Sequence, residues 1–271
     1  MITTVSFDLD DTLWNPRPAL IVADKAQWQA LAKMYPEFTE HFSQDRIFRC
    51  RKKVLEDAPS IIGDVTALRL EVMIQLLTSL GINAEQAAST AAAAFAAFMA
   101  RRNDVVLFSD AIEVLNQLCG TYRLVAITNG NANVFKTELG VFFELAIRAD
   151  EVGIAKPDRG IFDLTWERLG CSATEVIHVG DSVESDVQGA LNAGGTPVWY
   201  NPDGEPNLLG VNEVSSLTAL PALLKNIRDY IASAPVSPVR IRTTCSSSDT
   251  KIFPSPICSV RAPFTMASMV F

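Results

Sequence analysis

Residues 2–12 read Ile2-Thr3-Thr4-Val5-Ser6-Phe7-Asp8-Leu9-Asp10-Asp11-Thr12. A β-prone run, Ile2 to Phe7, ends directly in acidic residues, which predicts a buried strand whose C-terminal tip carries Asp8. On an extended chain, side chains i and i+2 point to one side. Asp8 and Asp10 can therefore address one ligand as the chain curls off the strand. Crowded carboxylates need a cation or a shared proton to offset their repulsion. A hard divalent cation with oxygen ligands, Mg2+ above all, fits this set. The same residues also suit an acidic turn that caps a helix at Asp11-Thr12. The pentapeptide alone leaves both uses open.

Beyond Leu13 the pattern changes. Pro16 and Pro18 punctuate the chain, and helical signals then run to about Arg102. The periodicity predicts helices over Ala19–Met34, Glu40–Glu56, Val65–Leu80 and Ala84–Arg101, with breaks at Pro36, Pro59–Gly63 and Gly81–Asn83, and no strand. From about Phe108 strands return: Tyr122–Ile127, Leu145–Ala149, Val176–Val179 and Pro197–Tyr200. Helices are predicted over Asp110–Leu118, Asp158–Leu169 and Ser185–Ala193. Strand, polar tip, helix, strand is the rhythm of an α/β fold with a doubly wound parallel sheet. Ligands of such sheets sit beyond the carboxyl ends of the strands. The organisation expected is a core segment 1–14, an all-helical insert 15–106, the core continued over 107–232, and a tail 233–271. The tail holds eight serines, five prolines and a local charge of +3 without a helical period, so disorder is expected there.

Further polar motifs follow these strands. Thr128-Asn129-Gly130-Asn131 offers a hydroxyl, an amide and backbone N–H groups, as an oxyanion cradle or an ordinary Asn-Gly turn would. Gly180-Asp181 puts a second carboxylate on the same sheet edge, and Asp186 opens a helix, where its charge favours the helix dipole. Lys156 is a compact positive charge suited to phosphate, or a solvated loop lysine. His178 lies within a strand and reads as packed and hydrogen-bonded. His41 lies in the helical insert and reads as solvent-facing. There is no GxSxG elbow and no Walker A sequence.

The bulk properties narrow the class. A chain of 271 residues, 48% hydrophobic, can bury one large core or two smaller ones. A net charge of -8 argues against a nucleic-acid or membrane-surface binder, each of which needs a basic face. Five scattered cysteines and two histidines suit a reducing cytoplasm better than a disulfide framework or a zinc site. No signal peptide is read at the N-terminus. The Ala-rich run Ala87 to Ala100 is too short for a bilayer and reads as a packed helix.

Taken in order, Asp8-x-Asp10-x-Thr12, Thr128, Lys156-Pro157 and Gly180-Asp181-x4-Asp186 resemble the four motifs of the haloacid dehalogenase superfamily. The resemblance runs from the N-terminus to about residue 230. It implies a Rossmann-like core, a helical cap of the superfamily's first cap class, and a Mg2+-dependent phosphatase. In that reading Asp8 attacks phosphorus, and Asp10 protonates the leaving oxygen and then activates water. Thr128, Asn129 and Lys156 hold the phosphoryl oxygens. Asp8, the Asp10 backbone carbonyl and Asp181 hold the metal, with Asp186 just outside. The stretches Leu13-Trp14-Asn15-Pro16-Arg17-Pro18, Gly63–Thr66 with Arg69, Ala126–Ala132 and His178–Asp181 are similar to the bacterial flavin mononucleotide phosphatases. That group also acts on 5-amino-6-(5-phospho-D-ribitylamino)uracil. Trp14, Arg17, Asp64, Arg69 and Arg101 are the candidate substrate contacts, weighed against surface ion pairs and, for Trp14, a packing role at the hinge. The expected partner is a small phosphorylated molecule. The alternatives are a hydrolytic dehalogenase, which leaves Asp10 and the Asp181/Asp186 pair unexplained, a phosphomutase, and a silent binding module.

Overall fold

A computed structural model describes residues 1–233. The expectation of a disordered tail falls on 234–271 and lies outside the described residues; Ser233 itself ends a helix. The strands are β1 (Thr4–Phe7), β2 (Trp14–Asn15), β3 (Val106–Leu107), β4 (Arg123–Thr128), β5 (Leu145–Arg148), β6 (Val176–Gly180), β7 (Thr196–Tyr200) and β8 (Asn212–Val214). The α-helices are α1 (Arg17–Met34), α2 (Gln44–Asp57), α3 (Val65–Ser79), α4 (Ala84–Arg102), α5 (Ala111–Leu118), α6 (Ala149–Val152), α7 (Arg159–Leu169), α8 (Gly189–Asn192) and α9 (Leu220–Ser233).

Six strands form one sheet in the order β5-β4-β1-β6-β7-β8, every pair parallel. The chain builds one side from β1 through β4 to β5, then returns to β6 and builds the other. That reversal beside β1 opens a crevice at the carboxyl ends. Both faces of the sheet are covered, so the inner strands are nearly continuous apolar runs. Alternate residues of β4 serve opposite faces. Leu124 and Ala126 pack with Leu115, Leu118, Leu220 and Leu224. Val125 and Ile127 pack with Ile161, Phe162 and Trp166. β8 and α9 were not read from the sequence; β8 extends the sheet beyond β7, and α9 packs against α5.

Residues 17–102 form the helical insert. α1 and α4 make the most extensive helix–helix contact. The Ala-rich run supplies it: Ala87, Ala91, Ala94 and Phe98 face inward at steps of three and four. Ser43, Asp64 and Asn83 cap the starts of α2, α3 and α4 with their side-chain oxygens. Where one helix was expected over Glu40–Glu56, a 3-10 turn covers Pro36–His41 and Ser43 starts α2 afresh. The insert boundary was expected to be strand-free. Instead the outgoing and returning crossings pair as β2 and β3, because two adjacent extended segments satisfy each other's backbone groups. The helix expected over Ser185–Ala193 begins as a π-turn, Val183–Gln188, in which the N–H groups of Asp186 and Val187 share the Ser182 carbonyl. No helix among the described residues is long and apolar enough to cross a membrane.

The Ala stripe of α4 lets α1 approach closely. Ala91→Leu should overpack that contact and cost about 1–3 kcal/mol, read as a lower unfolding midpoint in denaturant with little change in slope.

Candidate active site

Asp8 leaves the tip of β1 with its backbone N–H still bonded to Val179 on β6, at 2.8 Å. The residue is 7% exposed. Lys156 arrives from the loop between α6 and α7. Its ammonium donates to Asp8 Oδ1 at 2.6 Å, Asp186 Oδ1 at 2.6 Å and the Ile127 carbonyl at 2.7 Å. The lysine is aimed by Asn129, whose carboxamide accepts from Lys156 N–H at 2.8 Å and donates to its carbonyl at 2.9 Å. Expected as a phosphate contact, the Asn129 side chain is instead spent on the Lys156 backbone.

Asp186 is saturated. Lys156 and His178 Nε2 meet Oδ1, and the Ser182 N–H meets Oδ2 at 3.0 Å. A Cβ on Gly180 would lie 2.2 Å from Asp186 Cγ, so only glycine lets this carboxylate lie against the strand tip. His178 is buried, as expected, between Asp186 and Ser6 Oγ at 2.9 Å. The bonds are satisfied by a neutral ring with its proton on Nε2, and burial pushes its pKa down despite the bond to Asp186. Asp181 is bound through Thr12, whose hydroxyl lies 3.1 Å from Asp181 Oδ1 and 3.3 Å from Asp8 Oδ2.

Burial pushes the Asp8 carboxyl well up, with Lys156 opposing. Burial also acts to raise Asp186, but Lys156 and then His178 outweigh it and hold that carboxyl well below the usual range. Burial, then Asp186, pushes Asp181 up to about 6. Ligand oxygens of Asp8, Asp181 and Asp186 lie within 4.8 Å of one another. Three carboxylates thus crowd beside one ammonium, which bonds Asp8 and Asp186 but not Asp181. With Asp186 saturated, the oxygen donors of Asp8 and Asp181 fit a hard divalent cation, which would offset the surplus negative charge. A cleft of roughly 470 Å³, lined by Asp11, Arg17, Trp199, Tyr200 and Asp203 among others, reaches Asp181 from outside.

Asp10 lies over Gly130 and Thr128. A Cβ on Gly130 would fall 2.4 Å from Asp10 Oδ2 and 3.3 Å from Thr128 Oγ1. The Trp14 indole N–H donates to Asp10 Oδ1 at 2.7 Å, and Arg102 donates to Oδ2 at 2.5 Å. Trp14 is fully buried, so it holds Asp10 and is not placed to stack on a ligand. Of the other expected contacts, Arg17 is exposed on the rim of the cleft. Asp64 caps α3 through a bond from Ala67 N–H at 2.8 Å. Arg69 is buried inside the insert, bonded to Asp24 with its guanidinium 3.9 Å over the Phe98 ring. Arg101 points to solvent beside Asp104. The insert arginine at the site is Arg102. It continues the buried stripe of Ala87, Ala91, Ala94 and Phe98, and that phase was the available signal.

Residues 2–194 match the family described as haloacid dehalogenase-like hydrolase, and the chain belongs to that family of hydrolases. Among curated relatives it is 33% identical to the 5-amino-6-(5-phospho-D-ribitylamino)uracil phosphatase YigB of Escherichia coli (strain K12), over 82% of this chain and 96% of that one. It is 27% identical to a glyceraldehyde 3-phosphate phosphatase of Methanopyrus kandleri, over 72% of this chain and 82% of that one. Among solved structures it resembles one described as a 2-haloacid dehalogenase from Pseudomonas syringae pv. Tomato DC3000, with a TM-score of 0.77 and 34% identity, over 84% of this chain and 100% of that one.

Gly130→Ala should displace Asp10 while leaving the core intact. Hydrolase turnover is expected to fall by about 100-fold with little loss of thermal stability. Burial, then Asp186, pushes Asp181 up to about 6, and burial pushes Asp8 up as well, so a divalent cation held by these carboxylates would have to displace protons in acid. Calorimetry should find more protons released per Mg2+ bound as the pH falls through about 6, and weaker binding on the acid side.

Proposed function

We propose that the protein is a Mg2+-dependent phosphatase of small-molecule phosphate monoesters that works through a phosphoaspartate on Asp8. The observation that carries this reading is the surplus of buried carboxylates at the strand tips, Asp8, Asp181 and Asp186 against Lys156 alone. Such a surplus is costly in a folded chain unless a cation offsets it.

In this reading Asp8 attacks phosphorus in line, splitting one hard displacement into two easier ones. Lys156 exchanges its bond to Asp8 for a phosphoryl oxygen, and Thr128 supplies a second donor to that group. Asp10 gives a proton to the departing oxygen and later takes one from the water that hydrolyses the phosphoaspartate. Asp8, Asp181 and the Asp10 carbonyl would hold Mg2+, which would supply positive charge against the transferring group. Asp186 and His178 keep Lys156 in place from behind. Residues 17–102 act as a cap that screens the site from water. The substrate we favour is 5-amino-6-(5-phospho-D-ribitylamino)uracil or a kindred ribityl phosphate such as flavin mononucleotide, which would place the enzyme in riboflavin synthesis. The support is the relative named for the uracil substrate, which aligns over nearly its whole length. A cytoplasmic setting accords with the free thiols of Cys50, Cys119 and Cys171.

The solved structure described as a dehalogenase favours a second reading, since Asp8 could displace halide instead. Halide departs without a proton and needs no cation. The doubly held Asp10 and the Asp181 site would then be idle, which is why the phosphatase reading is preferred. A panel of phosphorylated metabolites, with flavin mononucleotide and the ribitylaminouracil phosphate included, and of chlorinated acids separates the two. Mg2+-dependent phosphate release, lost by at least about 1000-fold in Asp8→Asn, is the expected result. Chloride release without any ester hydrolysis would establish the dehalogenase instead.

A further inference from the structure

Asp10 stands where the chain crosses between the sheet and the helical insert, and both crossings reach for it. Trp14, on the outgoing crossing, holds Oδ1. Arg102, the last residue of α4, holds Oδ2 from the returning one. Arg102 is 1% exposed and is itself anchored. Its Nε donates to Asn131 Oδ1 at 2.8 Å. Asn131 Nδ2 donates to the Thr66 hydroxyl at 3.2 Å, and that hydroxyl donates to Asp150 Oδ2 at 2.8 Å. Arg148 Nε holds Asp150 Oδ1 at 3.0 Å. Each link has one donor and one acceptor; Thr66 accepts once and donates once. The chain alternates between the insert (Arg102, Thr66) and the sheet side (Asn131, Asp150, Arg148). Next to it, Gly63 lies so close to the sheet side that a Cβ there would come 3.0 Å from that of Ala155.

An aspartate carboxylate turns easily about its last torsion. A proton donor must nonetheless lie within hydrogen-bond reach of the leaving oxygen. A charge-assisted bond at each oxygen removes that freedom. We propose that Arg102 is a positioning residue that fixes the orientation of Asp10, and that the Asn131–Thr66–Asp150 links make this orientation depend on the insert being seated on the sheet. The inference rests on the phosphatase reading, because it concerns proton delivery to an oxygen leaving group. Lysine does not replace Arg102, since its compact ammonium lacks the planar fork that presents separate nitrogens, Nη2 to Asp10 and Nε to Asn131.

Two aryl esters of similar size isolate this role. Nitrophenoxide departs from p-nitrophenyl phosphate without a proton. Phenoxide, as basic as a tyrosine side chain, needs one. The quantity to follow is kcat/KM, which covers the steps through departure of the alcohol. Arg102→Lys should lower kcat/KM for phenyl phosphate by about 100-fold, the low end of general-acid contributions, and scarcely change it for p-nitrophenyl phosphate. Asp10→Asn, which removes the proton donor itself, should lower both values, that for phenyl phosphate by far the more. Thr66→Val keeps the shape of the side chain and removes the middle link. It should show the split at roughly fivefold, the scale of one hydrogen bond, and it carries the test if Arg102→Lys does not fold. Equal losses on both esters, or a change confined to KM, would overturn the proposal and make Arg102 a structural or substrate-binding residue. A wild-type protein that hydrolyses no phosphate ester refutes the phosphatase reading itself, and this inference with it.

Discussion

One ammonium group ties the carboxyl edge of the sheet together. Lys156 reaches Asp8 at the tip of β1, the carbonyl of Ile127 on β4, and Asp186 beyond β6. It belongs to the segment that follows β5, so segments attached to four strands converge on one nitrogen. Removing such a charge from water costs several kcal/mol, and pairing repays this only when every donor is used. Here every donor is used. The arrangement also needs supports that do no chemistry. Asn129 clamps the Lys156 peptide, Gly180 makes room for Asp186, and His178 satisfies Asp186 from the strand below.

Buried ion pairs are weak evidence for stability, since apolar packing of equal volume often does as well. Their retention here makes sense as storage of electrostatic asymmetry. Lys156 and His178 hold Asp186 firmly ionised, whereas Asp181 is pushed up to about 6. One carboxylate is committed to the lysine and the other is left under-compensated. In the proposed reading that difference would favour a cation at Asp181 and Asp8 over Asp186. The π-turn over Val183–Gln188 contributes by giving the helix start an extra residue, which lets the Asp186 side chain turn back beneath the strand tips.

The sheet and the edge that carries Asp8, Thr128, Lys156 and Asp181 were legible in the sequence because buried parallel strands read as apolar runs ended by polar tips. The insert was legible as helices for the same periodic reason. What failed was direction rather than existence. Arg101 and Arg102 differ by one position, about a quarter turn of helix, and only the phase of the alanine stripe says which faces inward. Asn129 shows another limit, for its amide bonds to a backbone 27 positions away, which no local motif encodes. Arg69 and Asp24 likewise meet across two helices, a pairing that the stretch carrying Arg69 does not encode. β8 was missed because a three-residue strand, Asn212–Val214, with two exposed positions carries almost no pattern.

The relationship between insert and sheet explains how one site can appear in relatives named for different reactions. In the proposed reading, displacement at a buried electrophile rests on Asp8 and Lys156, which meet at the tip of the first strand. What distinguishes proton-requiring esters is the second carboxylate and whatever aims it. In this chain Asp10 receives one donor from each crossing of the insert, and the crossings are themselves paired as β2 and β3. Any shift of the four helices relative to the sheet must pass through that ribbon or break the Arg102–Asn131–Thr66 links. Asp10 is thus held at the junction of insert and sheet, whereas Asp8 is held at the tip of a strand paired on both sides. An insert free to change its contacts with a leaving group can still enforce one geometry on Asp10, because the anchoring contacts lie at its base.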